Sequence, residues 1–229
     1  MKANSPLLDS KLLAPLAPYT VAGYALFREI VEVDMALPAR VKGLLAAVAA
    51  VNKGFLELAS RELVRAAEQG LTLDEAASGM ILLASLRGEG TAMAYGALVQ
   101  QVYPGQAVEV RAMDPVHAGP GEAEANFKAY FGTIPPGLVN LLALVPRGAD
   151  GYFLMRKGTI DCNRLEPKLA ELMLVAVLAS DYSPMSAVHI AAARKVGATE
   201  PEIAEAVLCA VPAAGIAAWA SAGALLVAP

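Results

Sequence analysis

The chain has 229 residues, of which 56% are apolar and 17% charged, and its formal net charge is −4. This length supports one large domain or two small ones without a disulfide or metal to hold them, and the high apolar fraction excludes a disordered chain. No run of Lys and Arg exceeds two residues, so we expect no binding to nucleic acid.

Apolar residues recur at helical spacing along most of the chain, with few β-branched runs. In the first half this spacing predicts the helices Tyr19–Val33, Ala39–Val51, Gly54–Gln69, Leu73–Leu86 and Gly88–Val102. In the second half it predicts Gly121–Phe131, Pro136–Leu144, Gly151–Lys157, Glu166–Ala179, Pro184–Val196, Glu200–Val211 and Ala213–Val227. The sequence therefore predicts an all-α protein.

The two halves share a repeat at an offset of 127 residues, at which nine positions are identical without a gap. The informative matches are Gly70 with Gly197, Thr72 with Thr199, Glu75 with Glu202 and Gly88 with Gly215. In both copies a Gly can end one helix and the T-x-x-E pattern can cap the next. We therefore predict two tandem repeats related by pseudo-two-fold symmetry, residues 1–103 and 121–229, joined by a Pro- and Gly-rich linker at 104–120.

The termini bear on where the protein works. The N-terminal residues contain no apolar segment of signal-peptide length before Pro15 and Pro18. The uncharged stretch at 206–229 is long enough to span a bilayer, but it is dominated by Ala and contains Pro212 and Gly215. We expect buried helices of a homo-oligomer there instead of a membrane span.

The two cysteines, Cys162 and Cys209, lie far apart with no neighbouring Cys or His. Their spacing predicts neither a disulfide framework nor a zinc motif. We therefore expect no metal site, no cofactor and a reducing, cytoplasmic setting.

The second half carries, from Glu171 to Leu225, the sequence ELMLVAVLASDYSPMSAVHIAAARKVGATEPEIAEAVLCAVPAAGIAAWASAGAL. Its apolar helix opening with Glu-Leu, its His followed eight residues later by G-A-T-x-x-E-I, and its small-residue last helix resemble the carboxymuconolactone decarboxylase and alkylhydroperoxidase D superfamily. A more diverged resemblance covers Pro38 to Leu98. The resemblance implies an all-helical fold that oligomerises, often as trimers or hexamers, so a trimer of fused pairs is the expected assembly.

The sequence departs from the peroxidase branch of this superfamily, whose motif resembles C-x-x-C-x-x-x-H. Here the same register reads Tyr182-x-x-Met185-x-x-x-His189, and in the first half Phe55-x-x-Leu58-x-x-x-Glu62. A thioether cannot form the thiolate that peroxide reduction needs. An alkylhydroperoxidase-type activity, which would have to use Cys209, is therefore the weakest of the three functional hypotheses.

His189 is the first catalytic candidate, because an imidazole can take or give a proton near neutral pH. The resemblance implies that Glu171, on the preceding helix, faces it and orients the ring. Tyr182 and Met185 are candidate substrate-binding residues beside it; Tyr182 can donate a phenolic hydrogen bond or plug the pocket. The alternative is a half-buried His bonded to a carbonyl and a surface Glu, neither with a function.

The first half offers a second set of candidate substrate-binding residues: Arg61 and Glu62 at the position equivalent to His189, and Arg87 and Glu89 in a turn between two apolar helices. A guanidinium can bind a carboxylate substrate through two parallel hydrogen bonds. The alternative is an internal Arg–Glu ion pair that stabilises the hairpin.

The leading hypothesis is an enzyme resembling carboxymuconolactone decarboxylase, which acts on a small organic acid or lactone by acid/base chemistry without redox thiols. The alternative is a catalytically silent protein of the same fold that binds a small molecule or serves as an assembly module. Retention of His189 favours the enzyme, whereas loss of both sulfurs and of a first-half His favours the silent protein.

Overall fold

The computed structural model describes residues 5–110 and 116–227, and every regular element in those ranges is a helix. In chain order the α-helices are α1 Leu13–Leu16, α2 Pro18–Glu32, α3 Ala39–Asn52, α4 Leu56–Glu68, α5 Leu73–Arg87, α6 Glu89–Val102, α7 Glu122–Phe131, α8 Pro136–Leu144, α9 Pro146–Asp161, α10 Pro167–Ser180, α11 Ser186–Lys195, α12 Glu200–Leu208, α13 Val211–Ala214 and α14 Ala217–Ala222. A 3₁₀ turn at Gly223–Leu225 follows. The predicted all-α class is confirmed.

The chain forms two compact units, one comprising Met1–Ala107 with Arg164–Pro229 and the other Val108–Asn163. The larger unit thus contains helices from both predicted repeats. The predicted repeat boundaries stay a prediction, because an intertwined duplication can also place both copies in one unit. Residues 111–115 of the predicted linker lie outside the described residues.

The centre of the larger unit is the pair α3 and α10, which pack against each other. Nearly all residues of both helices are buried, including the run from Val41 to Val51 and the run from Ala170 to Ser180. Small Ala side chains on every face let these helices be covered all round. The helices α4, α5, α6, α11, α12 and α14 surround them.

The local signals of the two hairpins are formed as the sequence predicts. Thr72 and Thr199 each accept a hydrogen bond from the backbone N–H three residues later, and Glu75 and Glu202 each accept one from the cap residue's N–H. Gly70 precedes the first box with φ of 90°, a left-handed conformation that ends a helix at little cost only for Gly. Both capping boxes are confirmed.

Two predicted helices differ from the structure. The helix predicted at Gly151–Lys157 is α9 and begins at Pro146, because a Pro fits the first helical turn, where no N–H is needed. The helix predicted at Ala213–Val227 is wrong: Gly215 has φ of 73° and breaks it into α13 and α14. None of the described helices is both long and apolar enough to cross a bilayer.

The smaller unit contains α7, α8 and α9. Its core is built on Ala123 and Phe127 of α7 and on Ala149 and Phe153 of α9. Phe127 meets the ring of Tyr152 edge to face, with centroids 5.4 Å apart. These contacts hold α7 against α9.

Candidate functional site

Glu171 and His189 are in contact, as the resemblance implies. Glu171 lies in the first half of α10 and His189 in the middle of α11, two helices that pack against each other. Oε2 of Glu171 lies 2.8 Å from Nδ1 of His189, and the two side chains are only 10% and 16% exposed. The pair is therefore mostly shielded from water.

This contact determines which nitrogen of His189 is available for chemistry. An ionised carboxylate can only accept hydrogen bonds, so the proton of the neutral ring must be on Nδ1 when Glu171 is charged. Nε2 then carries the lone pair that can take a proton. The carboxylate also stabilises the imidazolium that forms after the transfer. Glu171 and His189 are thus arranged as an orienting carboxylate and an imidazole that can carry a proton on Nε2 to or from a substrate.

Ser186 lies one helical turn before His189 and was not among the predicted site residues. It is 2% exposed, and its Oγ has no hydrogen-bond partner among the described residues. Ser186 and His189 are three residues apart in α11, so they share a face of the helix. A buried hydroxyl without a partner is uncommon, and it can hold a water or a substrate atom.

Tyr182 precedes α11 in a strained backbone conformation. Its φ is 56°, the one positive value among the described non-Gly residues, and such values cost free energy in a bulky residue. Its hydroxyl donates a hydrogen bond to the carbonyl of Ala214 at 2.6 Å. The phenol is thus tied to the α13 terminus, while Met185 is 43% exposed at the start of α11.

Arg87 lies away from Glu171. It pairs with Asp181, the residue that follows α10, so the predicted alternative of an Arg–Glu pair within the hairpin is replaced by a contact to α10. Ten residues of α10 separate Asp181 from Glu171, about 15 Å along the axis. Burial lowers the pKa of Arg87. Glu89 is exposed in the first turn of α6.

Glu62 lies inside the protein and not in an open pocket. It is 1% exposed, and its carboxylate accepts hydrogen bonds from Arg28 at 2.8 Å and from Arg65 at 2.9 Å. Arg61, its neighbour in α4, is half-buried and makes no ion pair with a residue in the described ranges. The first-half position that the predicted repeat aligns with His189 therefore holds a buried ion-pair network.

Arg28 was not predicted as part of any site. It is 3% exposed and also donates two hydrogen bonds to Glu32, one turn later in α2. Burial by itself would lower the pKa of Arg28, but the carboxylates of Glu62 and Glu32 outweigh it and raise that pKa. An Arg followed four residues later by Glu in an otherwise apolar helix was the available sequence signal.

Lys42 is a second buried charge that sequence reasoning missed. It is fully buried in α3, and its Nζ lies 3.1 Å from Oε2 of Glu205. Glu205 also accepts hydrogen bonds from the backbone N–H groups of Ala36 and Leu37. A single Lys in the apolar run of α3 was the signal. Lys42 joins α3 to Glu205 of α12, and Glu205 in turn holds the segment before α3.

The sulfur chemistry of a peroxidase has no support here. Cys209 is fully buried, and burial raises the pKa of its thiol to about 12. Cys162 is exposed in the smaller unit, and both cysteines are free thiols. In the described ranges, no three His, Cys, Asp or Glu side chains come together in a group that could hold a metal ion.

The comparisons with known proteins find a matching family and a similar solved structure. Residues 146–228, which include Glu171 and His189, match the model of the carboxymuconolactone decarboxylase family. A crystal structure from Burkholderia xenovorans, of a protein provisionally named a gamma-carboxymuconolactone decarboxylase subunit, is similar at 25% identity and a TM-score of 0.60. The match covers 96% of this chain and 91% of that chain. No curated protein matches the chain.

Proposed function

We propose that the protein is a decarboxylase acting on a small organic acid or lactone. Its residues 146–228 match the carboxymuconolactone decarboxylase family. The observation that carries the proposal is the 2.8 Å contact between Glu171 and Nδ1 of His189 within that segment. No redox thiol and no cofactor take part. The fold is that of the family, and the reaction and the substrate class are the parts proposed.

In the proposed reaction, His189 supplies a proton. Loss of CO₂ breaks a carbon–carbon bond and leaves its electron pair on a carbon conjugated to the lactone or acid carbonyl. The imidazolium of His189 delivers its Nε2 proton to that carbon, and Glu171 stabilises the charged ring before the transfer. Solvent returns the proton to His189, so atoms and charge balance over the cycle.

Binding of the acid is assigned to groups near His189. Ser186 can donate its unpaired hydroxyl hydrogen to the substrate, and Met185 supplies exposed apolar surface. Arg61 remains a candidate for holding the second carboxylate of a diacid, whereas Arg87 pairs with Asp181, about 15 Å along α10 from Glu171, and is too far away to hold the same small substrate. Tyr182 borders the same helix start, and its hydroxyl is engaged by Ala214.

The test is a panel of lactone carboxylic acids in which release of CO₂ is measured for the wild-type protein. The proposal expects turnover of at least one compound, with one deuterium from D₂O at the carbon that lost CO₂. Binding of several compounds without any CO₂ release would contradict it. That outcome would support the second candidate, a silent small-molecule-binding or assembly protein.

The second candidate rests on the first half. There the position equivalent to His189 is Glu62, held by Arg28 and Arg65, and Gly43 stands where Glu171 would fall at an offset of 128 residues. A Cβ on Gly43 would lie 2.8 Å from Cβ of Ala66. On this proposal the first half serves a structural role, and a silent protein would have lost function in both halves.

A tandem duplication, with repeats at 1–103 and 121–229, is also proposed. Asn52 and Ser180 stand 128 residues apart in the ends of α3 and α10, and Asn52 Nδ2 donates to Ser180 Oγ at 2.9 Å. Contact between equivalent residues is expected where a two-fold axis passes. Gly54 and Tyr182, also equivalent at this offset, both have left-handed φ values, so Tyr182 aligns with Gly54 and not with Phe55 as the offset of 127 predicts. Glu62 and His189 stay equivalent at 127, so the second copy is one residue shorter between Tyr182 and His189.

Each half also contains an ion pair at matching positions. Arg40 pairs with Glu75 in the first half, and Lys168 pairs with Glu202 in the second. An experimental structure in which residues 39–99 superpose on 167–226 through a two-fold rotation would support the duplication, and two unrelated helix arrangements would contradict it.

A homo-oligomer, with a trimer favoured by the resemblance, is part of the proposal. Leu12, Leu16 and Tyr19 are 79%, 82% and 92% exposed at the start of the chain. Large apolar side chains clustered in one uncharged segment favour burial against another subunit. Mass spectrometry under native conditions should give three times the mass of one chain, and a monomer at micromolar concentration would contradict the assembly.

A further inference from the structure

The smaller unit contains a cavity that the proposed reaction does not use. It measures about 320 Å³ and lies between α7 and α9. Its wall includes Asn126 and Tyr130 of α7, and Arg156 and Ile160 of α9. Cavities of this size suit small molecules.

Arg156 is held in a fixed position in this wall. Its guanidinium carbon lies 3.5 Å from the centroid of the Tyr130 ring, which places the planar group against the aromatic face. Its Nη1 donates a hydrogen bond of 2.7 Å to Oδ1 of Asn126. The side chain has therefore already lost most of the freedom that binding a ligand would otherwise remove.

Comparison with Arg28 shows what Arg156 lacks. Arg28 gives Nη1 to Glu62, and gives Nε and Nη2 to Glu32 four residues later. Arg156 gives Nη1 to Asn126, and the residue four positions later is Ile160. Within the described ranges, the Nε and Nη2 edge of Arg156 thus meets no carboxylate. This edge is the one that binds a carboxylate through two parallel hydrogen bonds.

Among the charged side chains of the wall, only the positive charge of Arg156 is not balanced by a neighbouring charge of a described residue. Lys157 lies 3.2 Å from Asp161, so that pair is neutral overall. Ile160 and Ala129 contribute apolar surface to the same cavity. The wall therefore combines the Nε and Nη2 edge of Arg156, which meets no carboxylate in the described ranges, with apolar surface that can contact the rest of a ligand.

We propose that the cavity between α7 and α9 is a binding site for a small monocarboxylate with an apolar body, whose carboxylate is held by Nε and Nη2 of Arg156. The site is distinct from His189, and it does not depend on the proposed decarboxylation. Asn126 and Tyr130 act as positioning residues that fix the guanidinium.

Benzoate is the probe for this proposal, and benzamide is its neutral counterpart of the same shape. Binding is measured by calorimetry and by NMR shifts of the Asn126 side-chain amide. A charge-assisted pair is worth enough for about a tenfold change in affinity. Benzoate should therefore bind the wild type about tenfold or more tightly than benzamide, with the shifts centred on Asn126.

Variants locate the site. Arg156→Gln should weaken benzoate binding about tenfold or more, and Arg156→Lys, which keeps the charge but not the fork, should weaken it less. Arg147→Gln, at an exposed position of the same helix, is the matched control and should bind as the wild type does. Circular dichroism checks that each variant is folded.

Three results would overturn the proposal. If Arg156→Gln binds benzoate as tightly as the wild type does, the guanidinium does not bind the carboxylate. If benzoate does not shift the NMR signal of the Asn126 side-chain amide in the wild type, the ligand does not bind in this cavity. Inorganic phosphate binding more tightly than benzoate would contradict a ligand with an apolar body.

Discussion

Nη1 of Arg28 donates to Oε1 of Glu62 at 2.8 Å, and both side chains are almost fully buried. Glu62 stands 127 residues before His189, at the equivalent position of the predicted repeat. At this position of the predicted repeat, the first half has an ion pair between α2 and α4, and the second half has an imidazole beside a carboxylate. Stability experiments can test the first use and kinetic experiments the second.

Glu62→Ala should reduce the free energy of unfolding by about 3–5 kcal/mol, because it leaves Arg28 buried without its carboxylate. Glu57→Ala, at an exposed position in the first turn of the same helix, should cost less than about 1 kcal/mol. Urea unfolding measures both. Equal costs for the two variants would show that Glu62 has no special role in holding Arg28.

Glu171→Ala should lower kcat by about 100-fold with little change in KM, because the ring of His189 loses its orienting partner. Glu171→Gln keeps a carbonyl acceptor for Nδ1–H and removes only the charge, so its kcat should fall less. Glu166→Ala, at the exposed residue before α10, is the control and should retain wild-type kcat. A change confined to KM would make Glu171 a binding residue instead of a positioning residue.

Alkylation should distinguish the two thiols. Iodoacetamide at pH 8 should modify exposed Cys162 in the folded protein and leave Cys209 intact until unfolding, since Cys209 is fully buried and burial raises its pKa to about 12. Mass spectrometry of the digested protein counts the labels. Equal labelling rates would contradict the burial of Cys209 and reopen the peroxidase hypothesis.

Acid should release the C-terminal segment from α12. Glu200 accepts hydrogen bonds from Arg194 and from the N–H of Val227, and these bonds lower the pKa of Glu200 from 4.5 to about 2. Because the folded-state pKa is the lower one, the stabilisation is complete above about pH 4.5 and is lost as the pH falls toward 2.

Hydrogen exchange measures this loss. The protection factor of the Val227 amide should fall between pH 4.5 and 2 in the wild type. In Glu200→Gln, which has no carboxylate to titrate, the protection factor should be lower and should not vary over that range. A wild-type protection factor independent of pH would contradict the assigned contact.

The features predicted from sequence are mainly those set by neighbouring residues. Thr72 and Thr199 lie three residues from the Glu side chains that complete their capping boxes, so a local pattern contains the whole interaction. The contact between Glu171 and His189 joins two successive helices and came from the family resemblance. Periodicity alone would have left Glu171 as a surface residue.

The features that were missed depend on distant partners. Arg28 and Glu62 are 34 residues apart, and Arg87 meets Asp181 from the other half of the chain. No pattern along one helix gives such a pairing, because it depends on how α2, α4, α5 and α10 are each placed against α3. The burial of Lys42 likewise follows only from the packing that surrounds α3 on all sides.

The most direct test of the central claim is the rate of CO₂ release by His189→Gln, measured beside His117→Gln, a substitution of the only other histidine. Loss of a general acid or base costs roughly 100-fold to 10,000-fold in rate. The proposed reaction predicts a loss in this range for His189→Gln and a wild-type rate for His117→Gln. An undiminished rate in folded His189→Gln would contradict the role of the imidazole and, with it, the proposed mechanism.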